Sequence, residues 1–137
     1  MDTETTGFEF NELIQVAAVL FVNGEPVKKY NKYFLPAGEI SHGARKIHGL
    51  TKEKLAAKGA VEWSKGQSEE LTSFLNEMPD LPIVAHHVKY DYNDVLIPAF
   101  KKVGNLARLP KLERWRCTYG LSGRLPNLRS KCLDEVL

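Results

Sequence analysis

The run Leu13-Ile14-Gln15-Val16-Ala17-Ala18-Val19-Leu20-Phe21-Val22, followed at once by Asn23-Gly24, constrains the fold more than any other feature of this chain. It is mostly apolar and rich in β-formers, as a central strand should be. Asn-Gly accepts the left-handed backbone that a two-residue hairpin turn needs. Residues 27–35, with Tyr30, Tyr33 and Phe34, supply the returning strand. These two segments are expected to pair antiparallel.

The rest of the chain arranges itself around that hairpin. Residues 2–5 read as the end of a strand whose beginning is missing. Pro36-Ala37-Gly38 breaks the strand pattern. Ser41 can cap a short helix reaching His48, and Gly49 suits the left-handed position that ends it. Thr51 can cap a second short helix over residues 52–58. Leu71, Phe74, Leu75 and Met78 follow the helical period, which predicts a longer helix over residues 67–76. Residues 82–85 form a short apolar strand. Residues 90–103 place Val95, Leu96, Ala99, Phe100 and Val103 on one helical face, with Pro98 as a kink and Gly104 as the stop. Residues 114–118 read as another strand, and residues 133–137 as the first turn of a helix. The order predicts a mixed α/β fold, an antiparallel hairpin joined to parallel strands through helices.

A chain of 137 residues can bury one real core, so a single domain over residues 1–137 is expected. The net charge of +2 is mildly basic. It is compatible with a polyanionic substrate and proves none. Cys117 and Cys132 have neither C-x-x-C nor metal-type spacing, and read as reduced thiols of a cytoplasmic protein. No run approaches the ~20 apolar residues of a membrane span, and no signal-peptide pattern opens the chain. A membrane role is not expected.

The chemistry sits in Asp2-Thr3-Glu4-Thr5-Thr6-Gly7. Residues two apart on a strand share a face, so the Asp2 and Glu4 carboxylates point the same way, with Cα atoms roughly 6.5–7 Å apart. Such a pair repels itself unless something positive lies between. Oxygen-only ligation suits hard cations such as Mg²⁺ or Mn²⁺. An isolated D-x-E is a cheap pattern and reads equally as a polar strand end in water. Gly7 adds a sharp turn that permits close approach of a ligand. Asp91 adds a third acid at a strand-to-helix junction, where α/β sheets place functional groups. Taken alone, Asp91 also reads as a helix cap.

The segment "DTETTG" resembles the first motif of the DnaQ-like (DEDDh) 3′–5′ exonucleases, a family that includes proofreading subunits of bacterial DNA polymerase III. The likeness continues in order along the chain. Residues 11–18 resemble the family's second strand. Ile47-His48-Gly49-Leu50-Thr51 resembles its "I-H-G-I-T" segment. Val84-Ala85-His86-His87-Val88-Lys89-Tyr90-Asp91 resembles its second motif, "V-A-H-N-x-x-F-D". His87 departs from the usual Asn, and Tyr90 from a common Phe.

The resemblance implies a ribonuclease H-like mixed sheet. It implies release of nucleoside 5′-monophosphates from a single-stranded or frayed 3′ end, DNA being favoured over RNA, with DNA polymerase subunits as partners. It implies two divalent cations, Mg²⁺ or Mn²⁺, about 3.5–4 Å apart around the scissile phosphate. Asp2 would bridge both ions, Glu4 would hold the ion on the nucleophile side, and Asp91 would act on the leaving-group side. Thr3, Thr5 and Thr6 would lie against the terminal nucleotide's sugar and phosphate. His48 reads either as a contact to that nucleotide or as a helix C-terminal His facing the dipole. Tyr90 reads either as a stacking partner or as a core aromatic. His86 and His87 read as structural partners of the strand end. Arg108, Lys111, Arg114, Arg116, Arg124, Arg129 and Lys131 read mostly as a solvated basic surface, with a nucleic-acid track as the alternative.

The family's third motif, H-x-x-x-x-D, has no counterpart here: no His follows Asp91. Asp134-Glu135 lies in a segment resembling the helix start that precedes that motif. The expectation is a domain lacking most of its first strand and its C-terminal catalytic helix, with little activity of its own. The competing reading is an exonuclease-like module that grips a 3′ end or a polymerase subunit without cutting.

Overall fold

The structure, a computed structural model, describes residues 1–7 and 11–118. Its main sheet runs in the order β1 (Asp2–Thr5), β2 (Leu13–Val22), β3 (Glu25–Leu35), β4 (Val61–Glu62). The first two pairings are antiparallel and β3 with β4 is parallel. The hairpin turn has φ of 52° at Asn23 and 80° at Gly24, the doubly left-handed geometry that Asn-Gly favours.

Helices follow where capping residues stand. Ser41 accepts from Ala44 N at 3.1 Å and opens α1 (His42–His48). Gly49 closes it at φ 69°. Thr51 opens α2 (Lys52–Ala57) in the same way. α3 (Lys65–Leu75) starts two residues before the expected residue 67, because Ser64 caps it by accepting from Gln67 N. Met78 lies beyond the end of α3 and is exposed.

The kink expected at Pro98 appears as a change of winding. Residues Lys89–Leu96 form a π-helical segment that runs into α4 (Ile97–Lys102). Ile97 N–H reaches back to Tyr92 O, five residues away. Pro98 has no N–H to offer the Asp94 carbonyl, and that carbonyl accepts from Asn11 Nδ2 at 3.4 Å. β5 (Ile83–Ala85) pairs in parallel with β6 (Trp115–Cys117). The Met1 amino group donates to Val84 O at 2.7 Å, linking this pair to the edge of the main sheet.

Two apolar clusters cover the sheet. The larger holds Val16, Phe34, Leu71, Val95, Leu96 and Phe100. The smaller holds Ile14, Ile40, Leu50 and Leu55. Ile14 and Val16, two apart on β2, enter different clusters because the β1–β2 register slips between Leu13 and Gln15. Glu4 pairs with Gln15 and Thr5 with Leu13, leaving Ile14 as the extra residue of a bulge. Trp63 wedges edge-on between Phe34 and Phe100, at 5.0 and 5.6 Å, and donates to Ala99 O. Each such buried ring stabilises the fold by about 1.5–3 kcal/mol.

β2 runs past β1: Ala17 pairs with Asp2, and residues 18–22 continue beyond it. A slot of about 770 Å³ lies between this free length of β2 and β5, lined by Ala18, Leu20, Tyr30, Ile83 and Val84. Arg114, read from sequence as part of a basic surface, is instead half-buried. Its guanidinium donates to Asn76 Oδ1 and to the carbonyls of Leu75 and Leu81, closing the end of α3. Cys117 is a free thiol beside His86 O. Cys132, Arg124, Arg129, Lys131, Asp134, Glu135 and the helix start over residues 133–137 lie outside the described residues. No described helix is long and apolar enough to cross a membrane.

Candidate active site

Alternation along β1 separates two jobs. Thr3 and Thr5 turn inward and are buried, while Asp2 and Glu4 share the other face. Asp91 enters from the first turn of the π-helical segment and is only 4% exposed. A carboxylate so placed needs partners, because burying an unpaired charge is costly. Thr3 supplies one: its Oγ1 donates to Asp91 Oδ1 at 2.5 Å.

The three acids feel each other. Burial, then Asp2, then Asp91 push the Glu4 carboxyl up to about 7. Burial raises Asp91 to about 6, with the Thr3 hydrogen bond opposing and Asp2 adding. Burial also raises Asp2, against a lowering influence that includes His86. The second strand-end histidine, His87, lowers Asp91 in the same way. His86 is also tied to Thr118 Oγ1 at 2.9 Å across the β5–β6 end.

Tyr90 stands one residue before Asp91. Its hydroxyl lies 3.1 Å from Thr5 Oγ1 and donates to Asn11 Oδ1 at 3.3 Å. Thr6 is buried; its N–H donates to Glu12 O and its hydroxyl accepts from Glu12 N. Gly7 has φ 137°, and a Cβ there would stand 2.5 Å from Ser41 Oγ, so only glycine fits without displacing the cap of α1. His48 bonds the same strand end. Leu50 N–H donates to its Nδ1, so the neutral ring carries its hydrogen on Nε2, which donates to Thr5 O at 3.0 Å.

All eight residues singled out from sequence thus gather at the end of β1. The hydroxyls of Thr3, Thr5 and Thr6 and both ring nitrogens of His48 are engaged within the protein. Two residues escaped the sequence reading. Asn11 joins Tyr90, Thr5 and the Asp94 carbonyl. Glu12 accepts from Ala37 N and Gly38 N, each at 2.8 Å. Both head the segment over residues 11–18 that resembles the family's second strand, a likeness that assigns neither side chain a role.

Asp2, Glu4 and Asp91 offer carboxylate oxygens alone, the donor set that hard divalent cations prefer. Burial raises all three, and repulsion from Asp2 adds at Glu4 and Asp91, so a cation there would favour the ionised forms. Among the described residues, no three His, Cys, Asp or Glu groups converge closely enough to hold an ion by themselves.

A family model described as an exonuclease family, RNase T, matches residues 1–132. The chain is 33% identical over 139 aligned residues to a DNA polymerase III of PolC type from Thermotoga maritima, covering all of this chain and 9% of that protein. It is 29% identical to a DNA polymerase III subunit epsilon from Aquifex aeolicus, covering 99% of this chain and 64% of the relative. The chain therefore spans less than a tenth of the PolC-type relative and about two thirds of the epsilon subunit.

Proposed function

Since this chain belongs to the RNase T exonuclease family, with its ribonuclease H-like mixed sheet, we propose that it is a 3′–5′ exonuclease domain. It would remove nucleoside 5′-monophosphates from the 3′ end of DNA in association with a DNA polymerase, in the cytoplasm. The observation that carries this reading is the placement of three carboxylates at one strand end: Asp2 and Glu4 on one face of β1, with Asp91 bonded to Thr3 of the same strand. These three carboxylates would hold two divalent cations, Mg²⁺ or Mn²⁺. When bound, the cations supply Lewis-acid stabilisation of the attacking and leaving oxygens of the phosphodiester.

The remaining groups position that chemistry. Thr3 holds Asp91 in its ionised orientation through the hydrogen bond described above. Thr5 and Asn11 hold the Tyr90 hydroxyl, which leaves the ring to lie against the terminal nucleotide. His48 fixes the Thr5 carbonyl. The subsite for the terminal nucleotide would be framed by residues 3–6, His48 and Tyr90.

Binding measurements on the purified chain test this. Mn²⁺ is expected to raise its melting temperature and to promote binding of thymidine 5′-monophosphate. Both effects are expected to vanish in Asp2→Ala and Asp91→Ala. Any hydrolysis of labelled single-stranded DNA is expected to release mononucleotides from the 3′ end. Metal-independent binding, or release from the 5′ end, would overturn the proposal.

A further inference from the structure

Helix α1 is lightly anchored in the core: none of its seven residues is fully buried, and Ala44 rests partly buried on the smaller apolar cluster. Two polar ties fix it to the strand end that carries the acids. At its N-cap, Ser41 N–H donates to Thr6 O at 2.8 Å. At its last residue, His48 bonds Thr5 O. Ala44 and His48, one turn apart, face the body of the protein and are partly buried. His42, Arg45 and Lys46, at spacings of three and four, form an exposed stripe on the other side.

That stripe is cationic and uncompensated. α1 contains no acidic residue, and neither Arg45 nor Lys46 forms an ion pair with a described residue. Nearby lysines are otherwise engaged. Lys52 pairs with Glu39, and Lys54 donates to Gly49 O. Arg45 and Lys46 stand in the last turn of α1, where the helix dipole favours cations, and both side chains remain exposed and able to meet a further anion. The stripe is docked beside a carboxylate cluster that repels polyanions. A strand whose end reaches those carboxylates meets repulsion at its next phosphates unless cations stand beside them.

We propose that α1 carries the sugar–phosphate backbone of a bound single strand just 5′ of its terminal nucleotide, with Arg45 and Lys46 on successive phosphates. The inference rests on the exonuclease reading above. The ties to Thr5 and Thr6 give it register: they hold the phosphate contacts at a fixed distance from Asp2 and Glu4.

The test is a charge reversal, Arg45→Glu with Lys46→Glu, read by fluorescence anisotropy on a 5′-labelled oligothymidylate in Mn²⁺ over a salt series. Thymidine 5′-monophosphate binding is measured in parallel, and circular dichroism checks folding. The reversal is expected to lower oligonucleotide affinity at least ~10-fold at low salt. It is expected to reduce the slope of log affinity against log salt by roughly 1.4, the value for two single-strand phosphates. Mononucleotide affinity is expected to stay unchanged, and the Arg45→Lys, Lys46→Arg exchange to retain oligonucleotide binding. Unchanged oligonucleotide affinity and slope, with mononucleotide binding intact, overturns this proposal and leaves the exonuclease reading standing. Absence of Mn²⁺-dependent mononucleotide binding by the unaltered protein overturns both.

Discussion

Thr3 Oγ1 donates to Asp91 Oδ1 at 2.5 Å, joining residues 88 positions apart. The bond is buried and, with the Thr5–Tyr90 contact, forms the polar seam between β1 and the π-helical segment. Thr3→Val keeps the shape and branching of the side chain and removes the donor. Leaving a buried acceptor unpaired costs about 1–3 kcal/mol. Because the hydrogen bond lowers Asp91's affinity for protons, its loss hurts most where Asp91 is ionised. Urea denaturation is expected to show a larger deficit for Thr3→Val at about pH 8 than at about pH 5. An equal deficit at both would contradict the role given to Thr3.

The raised carboxyls make the metal-free protein sensitive to pH. Glu4 rises from 4.5 to about 7 and Asp91 from 3.8 to about 6. The folded state then binds these protons more firmly than the unfolded state, so this contribution to stability falls as pH climbs from about 4 to 7 and is flat above. A melting series without metal is expected to show that decline, and Mn²⁺ to reverse it. Glu4→Gln is expected to raise the metal-free melting temperature at neutral to alkaline pH by about 2–6 °C while weakening the Mn²⁺ effect. A metal-free protein that gains stability between pH 4 and 7 would refute this account.

Glu12 braces the turn after β3. Its two carboxylate oxygens accept separately from Ala37 N and Gly38 N. Hydrogen bonds to a charged group contribute about 1.5–3 kcal/mol, so Glu12→Ala is expected to destabilise by roughly that amount. Glu12→Gln keeps one acceptor oxygen and is expected to lose about half as much. Gly38→Ala is expected to destabilise as well, since its Cβ would stand 2.8 Å from Glu12 Oε1. In the Glu12→Ala background that clash disappears, and a double-mutant cycle detects the coupling.

α1 depends on His48 for its place. With no fully buried residue in the helix, loss of the His48–Thr5 bond leaves the Ser41 tie and the packing of Ala44 on the smaller apolar cluster. His48→Ala is expected to cost about 1 kcal/mol globally and to accelerate amide exchange in α1 far more than in β2 or α3. Uniform acceleration across the molecule would mean that α1 is held by something else.

Much of this was legible along the chain because the signals were local. Asn23-Gly24 fixed the hairpin through backbone conformations that few other residue pairs accept. Ser41, Thr51 and Gly49 announced helix ends because caps act over three or four residues. Asp2, Glu4 and Asp91 were legible through spacing and resemblance. What stayed hidden was set by contacts between distant segments. The bulge at Ile14 comes from matching two strands. The π winding over residues 89–96 reflects a backbone carbonyl freed by Pro98 and taken up by Asn11. Arg114 looked like surface charge until the end of α3 closed around it.

By itself the sequence determined the α/β order, the hairpin, the caps and the identity of the acids, since each depends on residue type within a few positions. Only the tertiary structure decided what those acids experience. Burial and mutual proximity push Glu4 and Asp91 upward, and a threonine from the opposite face of β1 bonds the third acid. Solvation and charge–charge energies depend on distances through space, which no single stretch of the chain encodes.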